Sequence, residues 1–229
     1  AWATLELSEV DCYVRLYGAL LDCDTTDLQD RLDSGEPGAR LAAEQEMLAG
    51  IAAHLAEFKC GSLVVRYFKA GTPWPVLRGF FEAEARYLAS VGAQLDLAAV
   101  DYGDLVGTPK GAEGESDKDH FSWARLWRAM RSEVAIPLKC ATWTASQGKR
   151  GLRKKDLVDE EDVADGMGKS RESDVVVGLC QMTEEAVAGV VRLHVCKNRK
   201  RQAHQVLGPF SVGYARGKLV GESVPGDLP

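Results

Sequence analysis

Two rhythms of apolar and polar positions run along this chain, one of strand period and one of helix period. Trp2–Leu7 alternates and predicts a strand. Ser8, with Asp11 a turn later, is close to a capping box and predicts a helix running to about Leu21. TTDLQDRL within Asp24–Leu32 predicts a short helix, SGEPG at Ser34–Gly38 a break, and Ala39–Phe58 a helix with apolar residues at helical spacing. Ser62–Phe68 is β-branched and aromatic, hence a strand. Val76–Val91 reads as a helix and Leu95–Tyr102 as a strand. Beyond the polar loop Gly103–Asp119, Phe121–Glu133 is an amphipathic helix carrying Trp123 and Trp127. Ile136–Ala145 predicts a strand, Ser146–Asp162 a basic-then-acidic loop, and Val163–Ser170 a short helix. Val175–Leu179 and Val190–Cys196 are strands. Two more around Phe210–Val220 turn at Gly217 as an antiparallel hairpin.

Helices therefore alternate with strands over the first two thirds, and strands follow one another at the end. The expected fold is α/β, a mostly parallel sheet flanked by crossover helices with an antiparallel C-terminal hairpin. Residues 1–229 read as one domain. Ligands of such sheets bind beyond the carboxyl ends of the parallel strands, which directs attention to what stands there.

Composition narrows the picture only a little. The apolar share, 45%, is that of a soluble globular chain. No apolar run approaches the roughly 18 residues of a membrane span. AWATLELSEVD lacks a signal peptide's basic start and an initiator Met, so the chain reads as a cytoplasmic fragment cut within a domain. A net charge of −6 argues against wholesale coating of nucleic acid, although a local patch still acts over a Debye length. The six cysteines stand singly with no CxxC pair, which disfavours a zinc site or a redox dithiol.

The strand ends carry the candidate chemistry. Asp101 follows Leu97-Ala98-Ala99-Val100, and a carboxylate at the end of a buried strand suits magnesium, or simply caps a turn. Glu6 closes the first strand, where a carboxylate could polarise an attacking water or sit solvated in the first turn of a helix. Gln147 ends the strand before the basic loop; its amide could report a γ-phosphate or cap the loop. Lys149, Arg150, Arg153, Lys154 and Lys155 suit contact with a phosphate backbone, or form a solvated loop partly neutralised by Asp159–Asp162. Lys197 and Arg199 alternate along a strand. Such a cation pair could meet an anion, including a phosphoryl group in a neighbouring subunit, or protect a sheet edge. No GxxxxGK[ST] phosphate loop occurs in these residues; GDLVGTPKG has the wrong spacing.

In order, these segments resemble the C-terminal, RecA-like P-loop ATPase domain of DnaB-type replicative helicases. ATLELSEVDCYVRLYGALLD is similar to the family's strand and helix around its catalytic glutamate, at Glu6. LAAVDYGDLV resembles the Walker B strand, at Asp101, and PLKCATWTASQGKR the strand ending in the γ-phosphate-sensing glutamine, at Gln147. VDEEDVADGMGKSRESDVVVGLCQ resembles the stretch before the strand that ends in VCKNRKR, where Lys197 and Arg199 match the Lys and Arg that reach a neighbour's ATP. DLVGTPKGAEGESD and GTPWPVLRGF resemble phage members. The usual Gly soon after KNR is replaced by Lys200-Arg201.

The resemblance covers nearly the whole chain and implies an ATP-dependent DNA helicase of DNA replication. Its cofactors would be ATP and Mg²⁺, with Asp101 on the metal side and Gln147, Lys197 and Arg199 toward nucleotide. It implies a ring, hexameric in this family, that translocates on single-stranded DNA touched by the loop after Gln147. A primase or helicase loader is the implied partner, and no membrane is involved. The Walker A loop would lie upstream of Ala1, and the fragment alone would be inactive. A RecA/RadA-like recombination or repair ATPase, or a degenerate non-catalytic ATPase module, is the alternative.

Overall fold

The computed structural model describes residues 1–58, 61–107, 119–149, 151–152, 155–163 and 167–221. Strands β1 (Trp2–Thr4), β2 (Val65–Tyr67), β3 (Leu97–Asp101) and β4 (Ala141–Thr144) form a parallel sheet in the order β2-β1-β3-β4. Helices α1 (Glu9–Leu21), α2 (Thr25–Leu32) and α3 (Pro37–Phe58) lie between β1 and β2, and α4 (Trp74–Ser90) between β2 and β3. Helix α5 (Asp119–Ala129), a wide-turned stretch Met130–Ala135 and α6 (Ile136–Leu138) lead to β4. After α7 (Met167–Glu172), strands β5 (Val175–Cys180), β6 (Val190–Asn198), β7 (Gln205–Gly213) and β8 (Lys218–Gly221) make a second sheet in that order. Helix α8 (Thr183–Ala188) joins β5 to β6, and β7 pairs antiparallel with β8 across Gly217, whose φ is 58°.

The chain groups into two compact units, with β6 and β7 running from one into the other. The first holds Ala1–Ser8, Leu63–Cys180 and Leu193–Leu207. Its core joins Ala3 and Leu5 with Ala98 and Val100 of β3 and with Leu77, Phe80 and Phe81 of α4. Leu126, Trp127, Met130 and Val134 close the same core. Phe80 stacks edge-on against Phe68 at 5.5 Å and touches Phe81 at 5.2 Å. Glu133 accepts hydrogen bonds from Trp74 Nε1 and from Arg78, both at 3.0 Å, which fastens α4 to the wide-turned stretch.

The second unit holds Glu9–Ser62, Gln181–Arg192 and Gly208–Pro229. In it α1, α2 and α3 pack on one another around Cys12, Val14, Leu28 and Ala43. Asp24 caps α2, its Oδ1 accepting from the amides of Thr26 at 2.7 Å and Asp27 at 3.3 Å. Asp22 pairs with Arg216 at 3.0 Å and Lys218 at 3.2 Å, tying the helices to the C-terminal hairpin.

Three expectations need correction. The Trp2–Leu7 strand ends at Thr4, because Thr4 Oγ1 donates to the Leu7 carbonyl at 2.9 Å and accepts from its amide at 3.2 Å, closing a turn. Ile136–Ala145 is a strand only over Ala141–Thr144. Its first part continues the helix, with Val134 buried and Ile136 exposed, until Lys139 turns left-handed at φ 53°. Helix α8 was not foreseen. The calls at Arg150, Arg153 and Lys154 lie outside the described residues.

Phe81 is 1% exposed at the centre of the first core. Phe81→Ala should cost about 3–5 kcal/mol in urea unfolding. Val76→Ala, on the exposed face of the same helix, should cost no more than about 0.5 kcal/mol.

Candidate functional site

Register brings the predicted carboxylates together. Thr4 of β1 stands opposite Asp101 of β3, and the Leu5 amide donates to the Asp101 carbonyl at 2.7 Å. Glu6 and Asp101 therefore leave neighbouring parallel strands at the same edge. Val100 pairs with Thr144, so β4 ends beside β3 and delivers Gln147 there. Glu6 and Gln147 are exposed and Asp101 is half-buried.

Tyr102 sits among them. Gln147 Nε2 donates to its hydroxyl at 2.9 Å. Burial first, and then the negative charges of Glu6, Asp104 and Asp101, push its phenol above its ordinary value. Those three carboxylates thus share one neighbourhood around a neutral ring. The Asp101–Tyr102 peptide is cis.

Asp104, which sequence reasoning passed over, organises the floor. It lies in the turn Gly103–Leu105. Its carboxylate accepts from Ser146 Oγ at 2.9 Å, from the Gln147 amide at 3.2 Å and from Lys169 Nζ at 2.6 Å. The Lys169 side chain is 2% exposed and that of Asp104 13%. Lys169 Nζ also donates to Ser146 Oγ at 3.0 Å and lies 5.3 Å from the Trp127 ring centroid. Gly103 is needed here: a Cβ would come within 2.6 Å of the Trp127 ring, and its amide donates to Thr144 Oγ1 at 2.9 Å. The sequence signal was faint, an Asp just past the strand-end carboxylate and a Lys in MGKSRE that looks solvated.

The cations of β6 are held by α7. Lys197 Nζ donates to the carbonyls of Ser170 at 2.6 Å and Arg171 at 3.4 Å. Arg199 donates to the Arg171 carbonyl and pairs with Asp174 at 3.2 Å. These are carbonyls of the last helical turn, where orphan acceptors and the dipole favour cations. Arg131 meets the same Asp174 through both oxygens, at 2.6 and 2.7 Å.

The basic loop is tied at its base. Lys149 donates its amide to the Asp162 carbonyl at 2.8 Å and its ammonium to the Glu161 carbonyl, and Lys155 pairs with the Asp162 carboxylate. Both described cations are thus engaged by the acidic stretch that follows them.

The donors at the strand ends are hard oxygens and one amide. That set is of the chemical kind that takes a magnesium ion and a phosphate.

Two outcomes follow. Lys169→Met strands Asp104 without its cation and should cost about 3–5 kcal/mol. Lys169→Met combined with Asp104→Asn should cost clearly less than the sum of the single changes in urea unfolding. Second, the hydrogen bond from Arg131 holds the Asp174 carboxyl below its ordinary value of 3.8. Its contribution to stability is complete above that value and is lost as pH falls through the lower folded-state value. Arg131→Met should raise the Asp174 titration followed by carboxyl NMR; an unchanged titration would mean that Arg199 and Lys200 set it without Arg131.

No family model matches the sequence, and no curated protein matches it. Solved structures do. A DnaB-like replicative helicase, described together with its interactions with primase, superposes with a TM-score of 0.72 at 13% identity, over 96% of this chain and 49% of that one. A solved ATPase domain of another protein superposes with a TM-score of 0.71 at 14% identity, over 97% of this chain and 74% of that one. The chain spans about half the length of the first. The likeness establishes the fold, a mixed α/β architecture built on a parallel sheet that this chain shares with those two structures.

Proposed function

We propose that residues 1–229 belong to a RecA-like ATPase domain of a ring-forming, cytoplasmic replicative helicase, which couples ATP hydrolysis to movement along single-stranded DNA. The observation that carries this reading is the meeting of Glu6, Asp101 and Gln147 at the carboxyl edge of adjacent parallel strands.

Bound nucleotide would supply the γ-phosphoryl group and magnesium would offset its charge. Asp101 holds the metal side. Glu6, exposed at the neighbouring strand end, takes a proton from the attacking water. Gln147 stands at the base of the loop after β4 and hydrogen-bonds Tyr102, so a change at its amide is felt by that loop. Arg150, Arg153 and Lys154 are the loop's contacts to the DNA backbone, with Lys149 and Lys155 anchoring its base. Lys197 and Arg199 serve a neighbouring subunit's nucleotide in a ring, taken as a hexamer. A primase, met by the solved DnaB-like helicase, or a loader is the proposed partner.

A second reading is a non-catalytic ATPase module. The internal engagement of Lys197 and Arg199 by α7 and Asp174 favours it.

In the full-length protein, Arg199→Ala should lower ATP hydrolysis by about a thousandfold or more, with nucleotide binding retained. Equal loss of binding refutes the trans-acting role, and absent hydrolysis in the unaltered protein supports the second reading. The sequence of these 229 residues contains no GxxxxGK[ST] motif, so calorimetric titration of the chain with Mg-ATP should show no micromolar binding. DNA-stimulated strand displacement, rather than strand pairing, separates the helicase from a recombinase.

A further inference from the structure

Away from the nucleotide edge, β6 turns His194 and Cys196, two residues apart on one face, toward the segment Val158–Asp159. His194 is 5% exposed and Cys196 1%. One ligand atom from each of Asp159, His194 and Cys196 lies within 4.8 Å of the others. Cys196 Sγ and His194 Nδ1 are 3.6 Å apart. A tetrahedral zinc ion with bonds of about 2.3 Å to sulfur and about 2.05 Å to nitrogen separates those two atoms by roughly 3.6 Å.

Hydrogen bonding alone accounts for part of this cluster. The Val158 carbonyl, which can only accept, lies 2.8 Å from His194 Nδ1 and 3.2 Å from Cys196 Sγ, so both carry protons in that arrangement. Burial, which pushes the Cys196 thiol up to about 11, agrees with a protonated donor. Asp159, which caps the turn Glu160–Asp162, stands within reach of both. Asp159 Oδ1 accepts from the Glu160 amide at 2.7 Å, and one oxygen of the same carboxylate completes a nitrogen–sulfur–oxygen set. Thiolate and imidazole select zinc-like ions over magnesium or calcium, which take oxygen.

We propose that Asp159, His194 and Cys196 bind one zinc ion, with a fourth position left to water. On binding, the Cys196 thiol gives its proton to solvent and its sulfur bonds the metal; the His194 proton moves to Nε2, freeing Nδ1. The hydrogen bonds to Val158 are exchanged for metal bonds. The ion pins the turn Glu160–Asp162 to β6. That turn is the one that receives Lys149 and Lys155, so the metal fixes the base of the basic loop. The site depends on neither the nucleotide reading nor the DNA reading.

Cobalt(II) reports such a site directly. Titrated into the chelator-stripped chain, it should give one equivalent of thiolate-to-metal absorption and tetrahedral visible bands, both displaced by zinc. Cys196→Ser should lose the thiolate absorption. Asp159→Asn should bind at least about tenfold more weakly, and zinc should raise the melting temperature of the unaltered chain more than that of Asp159→Asn. Folding of each variant is checked by circular dichroism. No thiolate absorption in the folded, unaltered chain overturns the proposal. So does equal absorption in Cys196→Ser, which places the metal on another cysteine, or equal affinity in Asp159→Asn.

Discussion

The Lys169–Asp104 ion pair is the constraint on which the strand-end geometry rests. Taking an ammonium out of water costs several kcal/mol unless close partners replace its hydration. Here Asp104, Ser146 and the face of Trp127 do so. Asp104 then has oxygen sites left for Ser146 and the Gln147 amide. One desolvated charge pair thus joins the turn after β3, the exit of β4 and α7. Gly103 is the corollary, since no side chain fits between its backbone and Trp127.

That junction explains why the candidate residues differ in exposure. Asp101, Asp104 and Lys169 sit at or below the sheet edge, where position is set by packing. Glu6 lies in a bend and Gln147 just past β4, and both are exposed to solvent. The edge thus has a packed floor beneath groups that face solvent. The carboxylates around Tyr102 leave negative charge at the edge, and a polyanionic ligand would need cations or metal between itself and that floor.

Much of the fold was legible in the chain. Periodicity found β1, β3, β5 and β6 and the helices between β1 and β3, because long apolar runs separated by polar breaks leave few alternatives. It failed at Ile136–Ala145, where the apolar run IPLKCATWT fits helix and strand equally and only packing decides. It also missed α8, six residues whose stability comes from a cap and a strand neighbour; Glu185 binds both the Met182 amide and Arg192. The strand-end residues were readable because local apolar runs point to them. Lys169 and Asp104 were not, because they are 65 positions apart and each looks like an ordinary surface charge. His194 was passed over, and Cys196 counted only among single cysteines that disfavoured a zinc site, for the opposite reason: an apolar strand makes them look like passive core.

Asp174 touches two arginines, and this has a thermodynamic consequence for any motion of Arg199. If Arg199 swings away, Arg131 still grips the carboxylate through both oxygens. The move therefore leaves no bare charge behind. Its electrostatic cost is that of one exposed ion pair, about 0–1 kcal/mol, plus the hydrogen bond to the Arg171 carbonyl. Arg131 acts as a placeholder, so the departure of its neighbour uncovers no bare carboxylate and is opposed mainly by the hydrogen bonds that Arg199 itself gives up.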